Sequence, residues 1–186
     1  MLINISKIKK GICFKMNNKY YKIINFLHVK PGKGNAFVRT KIKNLKNGNI
    51  IINNFTSGNK IDKIEIISKH YIFIYKNKEK FYFINKNNYN QIFLSENFIG
   101  RKKKFLKEND NVIINFLKKK NIPLSLKIKK YIYLKVKKTN IIKGNNINKK
   151  TFLENGINIY TPSFIKEGDI IKINTKTEKY IERLKK

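Results

Sequence analysis

Along most of the chain, apolar and polar residues alternate in short stretches, with breaks rich in Asn, Gly and Asp at intervals of about 8–12 residues, the spacing of strands and tight turns. Lys19 to Val29 carries Tyr20, Tyr21, Ile23, Ile24, Phe26, Leu27 and Val29, and Asn17-Asn18 precedes it as a turn signal. These are the β-branched and aromatic types that suit a pleated, half-buried surface. From Ala36 to Leu45 the alternation is strict: Ala36, Val38, Thr40 and Ile42 fall on one face of a strand, and Phe37, Arg39, Lys41 and Lys43 on the other. Asn47-Gly48 predicts a hairpin turn, Ile50 to Phe55 the returning strand, and Ser57-Gly58-Asn59 its end.

The habit continues downstream. Tyr71 to Tyr75 and Lys80 to Ile84 flank a hairpin at Asn77-Lys78-Glu79. Phe93 to Leu106 is the best helix candidate, interrupted by Gly100; Asn109-Asp110-Asn111 is a turn, Val112 to Leu117 a strand, and Pro123 belongs at a strand edge. Lys129 to Lys137 alternates again, Lys143 to Lys150 is a polar loop around Gly144, and Thr151 to Tyr160 alternates around Asn155-Gly156. Ile165 to Asn174 surrounds Gly168-Asp169, which predicts another hairpin turn. The fold class is therefore all-β, built as small antiparallel barrels, with pattern breaks placing domains at residues 1–64, 65–126 and 127–186.

Charge narrows the function more than the fold. The 186 residues carry 43 Lys and Arg against 11 Asp and Glu, a formal net charge of +32, while 41% apolar and 12% aromatic residues supply enough material for cores. Such a surface favours a polyanionic neighbour and disfavours acidic-pocket chemistry. Only Arg39, Arg101 and Arg183 are arginine, and the chain holds 34 Ile and 28 Asn. An evolved phosphate-binding surface normally includes arginine, whose planar fork matches phosphate, so AT-rich codon drift explains the lysine excess better than design. Either origin makes the protein adhere to RNA with strong salt dependence.

Other chemistry is sparse. No apolar run approaches the ~18 residues of a membrane span, and Met1 to Gly11 lacks a signal-peptide apolar core, which places the expected protein in the cytoplasm and off the membrane. The single Cys13 forms no internal disulfide and reads as a small buried hydrophobe. His28 and His70 stand far apart without acidic or thiol companions, no carboxylate pair has acid–base spacing, and no phosphate-binding glycine loop follows a strand. No metal, cofactor or catalytic residue is expected; the chain reads as a non-enzyme.

One segment is not generic. Pro31-Gly32-Lys33-Gly34 lies between two strands; proline fixes one dihedral and the glycines permit positive φ on either side of the lysine. The implied geometry is a stiff hairpin tip that holds one long cationic side chain clear of the body. The run Lys30 to Leu45, ending at Gly48, resembles the first-domain motif of the bacterial elongation factor P family. Gly156, Pro162, Phe164, Ile165, Gly168, Asp169, Ile171, Ile173, Asn174 and Thr175, followed by Tyr180 and Arg183, resemble its third-domain pattern, and Tyr71 to Tyr75, Phe81 to Ile84 and Tyr89-Asn90-Gln91 follow its second.

That resemblance implies an SH3-like (KOW-type) first domain and two OB-fold domains in an L-shaped, tRNA-like arrangement. It implies a monomer that binds the 70S ribosome, touching 23S rRNA and the 30S subunit between the P and E sites, and relieves stalling at consecutive prolines. The tip Pro31, Gly32, Lys33 and Gly34 would lie beside the P-site peptidyl-tRNA in the peptidyl-transferase centre. In many family members this lysine is extended after translation, which makes Lys33 a candidate modification site and a lysine-modifying enzyme a candidate partner. Lys30, Arg39 and Lys41 read as RNA backbone contacts, and Gly144, Asn145 and Asn146 as a codon-proximal loop. The sequence departs from the family where Asn85 and Asn87 replace acidic residues before Tyr89, where Asn140 replaces a proline, and where Lys150-Thr151 replaces the customary pair after a shortened loop. The competing reading is a generic basic OB-fold RNA-binding protein without proline-specific activity. A surface of this charge repels itself, so the melting temperature should rise as NaCl goes from low to physiological concentration and beyond; an unchanged or lower value in calorimetry contradicts this.

Overall fold

The computed structural model describes residues 1–140 and 148–184. Backbone proximity divides the chain into two compact units, Met1–Lys69 with Ile114–Leu126, and His70–Ile113 with Lys127–Lys186. The expected all-β class holds, and the strands fall into three antiparallel sheets.

The first sheet contains β1 (Leu2–Asn4), β2 (Cys13–Met16), β3 (Lys19–Val29), β4 (Phe37–Asn44), β5 (Ile50–Thr56) and β6 (Lys60–Ile64), in the order β1-β6-β2-β3-β4-β5. Asn17 and Asn18, at φ 48° and 56°, make the two-residue turn from β2 to β3, a left-handed pair that asparagine tolerates well. The alternation in β4 is realised as read: Val38, Thr40 and Ile42 are buried, and the Thr40 hydroxyl donates to the Asn53 carbonyl at 2.8 Å. Ile5, Phe14, Tyr21, Ile23, Phe55 and Ile61 complete this core. The turn at Asn47-Gly48 is wider than a two-residue hairpin. It runs between Asn44 and Ile50, with Gly48 at φ +78° closing a bond from its N–H to the Asn44 carbonyl.

The middle sheet contains β7 (Ile66–Asn77), β8 (Lys80–Asn85), β9 (Gln91–Ser95), β10 (Asn111–Leu117) and β11 (Ile122–Lys127), in the order β11-β10-β7-β8-β9. Pro123 sits in edge strand β11, where its missing donor costs least. The helix expected over Phe93 to Leu106 is much shorter. Phe93 and Leu94 belong to β9; Ser95 then caps a four-residue helix α1 (Glu96–Ile99), its side-chain oxygen accepting the Phe98 N–H at 3.3 Å. Gly100 at φ +58° ends it, and Gly100–Phe105 continues as a 3-10 turn.

The third sheet contains β12 (Tyr131–Thr139), β13 (Asn148–Leu153), β14 (Asn158–Pro162), β15 (Ile170–Asn174) and β16 (Lys179–Arg183), in the order β14-β13-β12-β15-β16. Asn155-Gly156 is the β13–β14 turn, with Gly156 at φ +79°. Gly168-Asp169 is not a hairpin. The segment before it is no strand: Ile165 is a fully buried plug, and the Asp169 carboxylate accepts the Lys166 N–H at 2.8 Å, folding the chain into a bend that feeds β15 onto β12. Gly168 at φ +86° donates its N–H to the Val136 carbonyl at 3.0 Å.

The core of this sheet borrows a ring. Phe105, from the 3-10 turn, is buried among Leu134, Val136, Leu153, Ile157, Ile159, Ile165, Ile171 and Ile173. Around it, the Asn155 side-chain amide donates to the Lys104 carbonyl at 2.8 Å, and Lys107 pairs with Glu154 at 2.7 Å. Nearby, Glu96 is bracketed by Lys103 and Lys76, whose hydrogen bonds lower its carboxyl pKa to about 2. Phe105→Ala should cost about 3–5 kcal/mol by leaving a cavity that the sheet cannot close; urea unfolding of the variant checks this, and a cost near zero contradicts the packing.

Candidate nucleic-acid interface

The Pro31–Gly34 tip crowns the β3–β4 hairpin. The two strands pair in register from Tyr21 opposite Asn44 to Val29 opposite Phe37, with one bulge between Ile23 and Asn25. The pairing runs to the last residue before the loop, so the loop stands on a long two-stranded stem rather than on free chain. At its far side the Ala36 carbonyl accepts the Ser57 N–H at 2.9 Å, tying the return to the end of β5.

Pro31, Gly32, Lys33, Gly34 and Asn35 are all exposed. Gly34 adopts φ +102°, a backbone that side chains other than glycine rarely take. Gly32 does not: its φ lies outside the left-handed region, and a Cβ there would meet nothing within 4 Å. Only one of the two glycines is therefore required by the turn; the other leaves the space beside Lys33 free. Among the described residues Lys33 joins no ion pair.

Lys30 is exposed at the start of the loop, and Arg39 and Lys41 are exposed on the outward face of β4, about 7 Å apart along the strand. The Arg39 guanidinium lies 5.9 Å from the Phe37 ring centre. Across the ladder, Arg39 faces Leu27 and Asn54, and Lys41 faces Asn25 and Ile52. Leu27 and Ile52, 61% and 68% exposed, make this face half aliphatic. The sequence reading missed them. The signal was the period-two pattern of β5, which sends Ile52 and Asn54 to the side opposite Phe55.

Other candidates lie elsewhere. Gly144, Asn145 and Asn146 fall outside the described residues. Thr151 is fully buried, its hydroxyl 2.7 Å from that of Thr161 across the β13–β14 pair, so it serves the core and not a ligand. Asn85 is also buried, accepting the Asn87 N–H at 2.8 Å in a turn that ends with Tyr89 at φ +56°. Cys13 is half-buried rather than buried, and desolvation pushes its thiol pKa up. His28 and His70 are exposed strand residues.

The chain matches three family profiles in succession: an elongation factor P KOW-like domain over residues 4–61, an elongation factor P OB domain over 66–124, and an elongation factor P C-terminal domain over 132–183. It is 40% identical over 188 residues to elongation factor P of Flavobacterium johnsoniae, covering 99% of this chain and 100% of that one. The chain belongs to the elongation factor P family. Elongation factor P of Amoebophilus asiaticus is 38% identical over 184 residues, covering 97% of this chain and 96% of that one. Among solved structures, the eukaryotic translation initiation factor 5A from Methanococcus jannaschii aligns with 69% of this chain and 92% of its own, at 15% identity and a TM-score of 0.50, a likeness of fold. No helix among the described residues is long and apolar enough to cross a membrane.

The two tip glycines should separate in solution. Gly34→Ala should destabilise the first domain by about 1–2 kcal/mol, because alanine is strained at its φ. Gly32→Ala should leave stability unchanged within about 0.5 kcal/mol. Denaturant titration of both variants checks the contrast, and equal costs contradict it.

Proposed function

We propose that this elongation factor binds the ribosome between the P and E sites and speeds peptide-bond formation at consecutive prolines, with Lys33 positioning the P-site peptidyl-tRNA. The observation that carries the reading is the exposed lysine at the end of a hairpin paired up to its loop, in a chain of this family. Three sheets and three successive profile matches support the division at residues 1–64, 65–126 and 127–186 as part of the same reading.

Proline is a poor partner in peptide transfer because its ring restricts the backbone, so a Pro-Pro step stalls on badly placed reacting groups. The ribosomal RNA performs the chemistry. The factor contributes orientation: holding the peptidyl-tRNA near the reactive geometry lowers the activation free energy, at about 1.4 kcal/mol per tenfold in rate. A lysine suits this because its ammonium, on a flexible four-carbon stem, can follow the phosphates of the tRNA's CCA end. The open space at Gly32 lets RNA approach the backbone, and Pro31 reduces the entropy lost when the loop docks. Lys30, Arg39 and Lys41 fit as phosphate contacts that set the register of the hairpin without reading sequence. An enzyme that extends Lys33 would lengthen the same arm.

Lys33→Ala should abolish rescue of a Pro-Pro-Pro reporter in reconstituted translation while leaving ribosome co-sedimentation within about twofold of the parent, because one of many phosphate-directed charges is lost. A variant that rescues as well as the parent overturns the assignment.

A further inference from the structure

Three rings stand side by side on the outward face of β7, β8 and β9. Tyr75 pairs with Tyr82, and Tyr82 with Phe93, across the strands. Tyr75 and Tyr82 stack with ring centres 4.6 Å apart at 15°, and Phe93 continues the row 6.2 Å from Tyr82. The core does not need them: the other face of these strands supplies Phe73, Phe81, Phe83 and Leu94, all buried. A register shift between Phe73 and Tyr75 sets the row. Without that bulge, Tyr75 would follow Phe73 onto the core face, since residues two apart share a side.

The two ends of the row are open. Tyr75 is 39% exposed and Phe93 54%. The Lys80 ammonium lies 4.6 Å from the Phe93 ring centre, and among the described residues it joins no ion pair. Lys76 and Lys103 instead share the one carboxylate of Glu96. The third sheet offers an instructive contrast. There Tyr131 and Tyr133 are also part-exposed, but Tyr131 has two lysines over it, Lys130 at 4.8 Å and Lys172 at 5.2 Å, and Lys172, also 5.9 Å from the Tyr133 ring centre, is held by Glu182 at 2.8 Å.

We propose that the Tyr75–Tyr82–Phe93 row is a stacking platform for unpaired RNA bases, with Lys80 taking the adjoining phosphate. Charge complementarity selects the occupant: a chain of net charge +32 presenting rings beside a free ammonium matches a polyanion that carries π-faces. Duplex RNA does not fit, because its bases already stack on each other and turn only edges and phosphates outward. An unpaired base extends the row as a further ring at either end, and the lysine swings from Phe93 to the backbone. The site lies on strands separate from the Lys33 hairpin and does not rest on the function proposed for that tip.

The chain contains no tryptophan, so Phe93→Trp installs a single reporter at the exposed end of the row. Titrating this full-length variant with a single-stranded oligo(A) of about 12 nucleotides, within the site sizes of such platforms, should quench its fluorescence. Heparin, a polyanion without bases, and duplex RNA of equal length should not. In parallel, Tyr75→Ala/Phe93→Ala should weaken single-strand binding about tenfold or more while heparin binding stays within about twofold. Tyr75→Phe should bind as the parent, and so should Lys33→Ala. Equal quenching by heparin, no quenching by oligo(A), or parent-like single-strand affinity of the double alanine variant overturns the platform.

Discussion

Eleven carboxylates face 43 cationic side chains in this protein, and the placement of those few acids decides which cations are paired. Asp62 holds the N-terminal ammonium at 3.0 Å; Glu65 takes Lys118, Asp110 takes Lys129, and Glu154 takes Lys107. Glu96 takes two lysines at once, and Asp169 bonds the Lys166 N–H and pairs with Arg183. Each exposed pair contributes only about 0–1 kcal/mol, so the pairs do not make the fold stable. They offset part of the repulsion among the lysines, and the apolar cores supply the stability. Among the described residues, Lys33 and Lys80 join no ion pair.

That distribution gives the two exposed sites different physics. At the hairpin tip the backbone is specified closely, by the β3–β4 register and one left-handed glycine, while the side chain is long and mobile. Precision comes from the stem and reach from the lysine. In the aromatic row the reverse holds: rings set by strand register define the surface, with the long stem of Lys80 beside them. A tip of the first kind follows a flexible polyanion strand; a surface of the second kind grips flat rings.

Strands with strict alternation were legible from sequence because burial and period coincide, as in Val38, Thr40 and Ile42 of β4. The exposed turn at the tip was legible from its proline and glycines, although Gly34 alone of the two takes a positive φ. The errors came where local chemistry is ambiguous. Phe93 to Ser95 lies before a helix start and carries no strand-breaking residue, so only the Ser95 cap separates strand from helix. Gly168-Asp169 has hairpin composition, yet Ile165 is drawn into the core and denies the turn a preceding strand. The aromatic row was hidden because one bulge residue inverts the side on which Tyr75 emerges, and bulges leave no mark in an alternation count.

Phe105 gives the last sheet a debt to an earlier part of the gene. Its ring belongs to the interior formed by β12 to β15 but is encoded ahead of all of them. During synthesis Phe105 leaves the ribosome ahead of Ile171 and Ile173, the last of its core partners along the chain. Recombination that joined the terminal segment to a foreign partner anywhere after Phe105 would transplant a hollow barrel. The terminal segment keeps its complete core only when the turn that carries Phe105 travels with it.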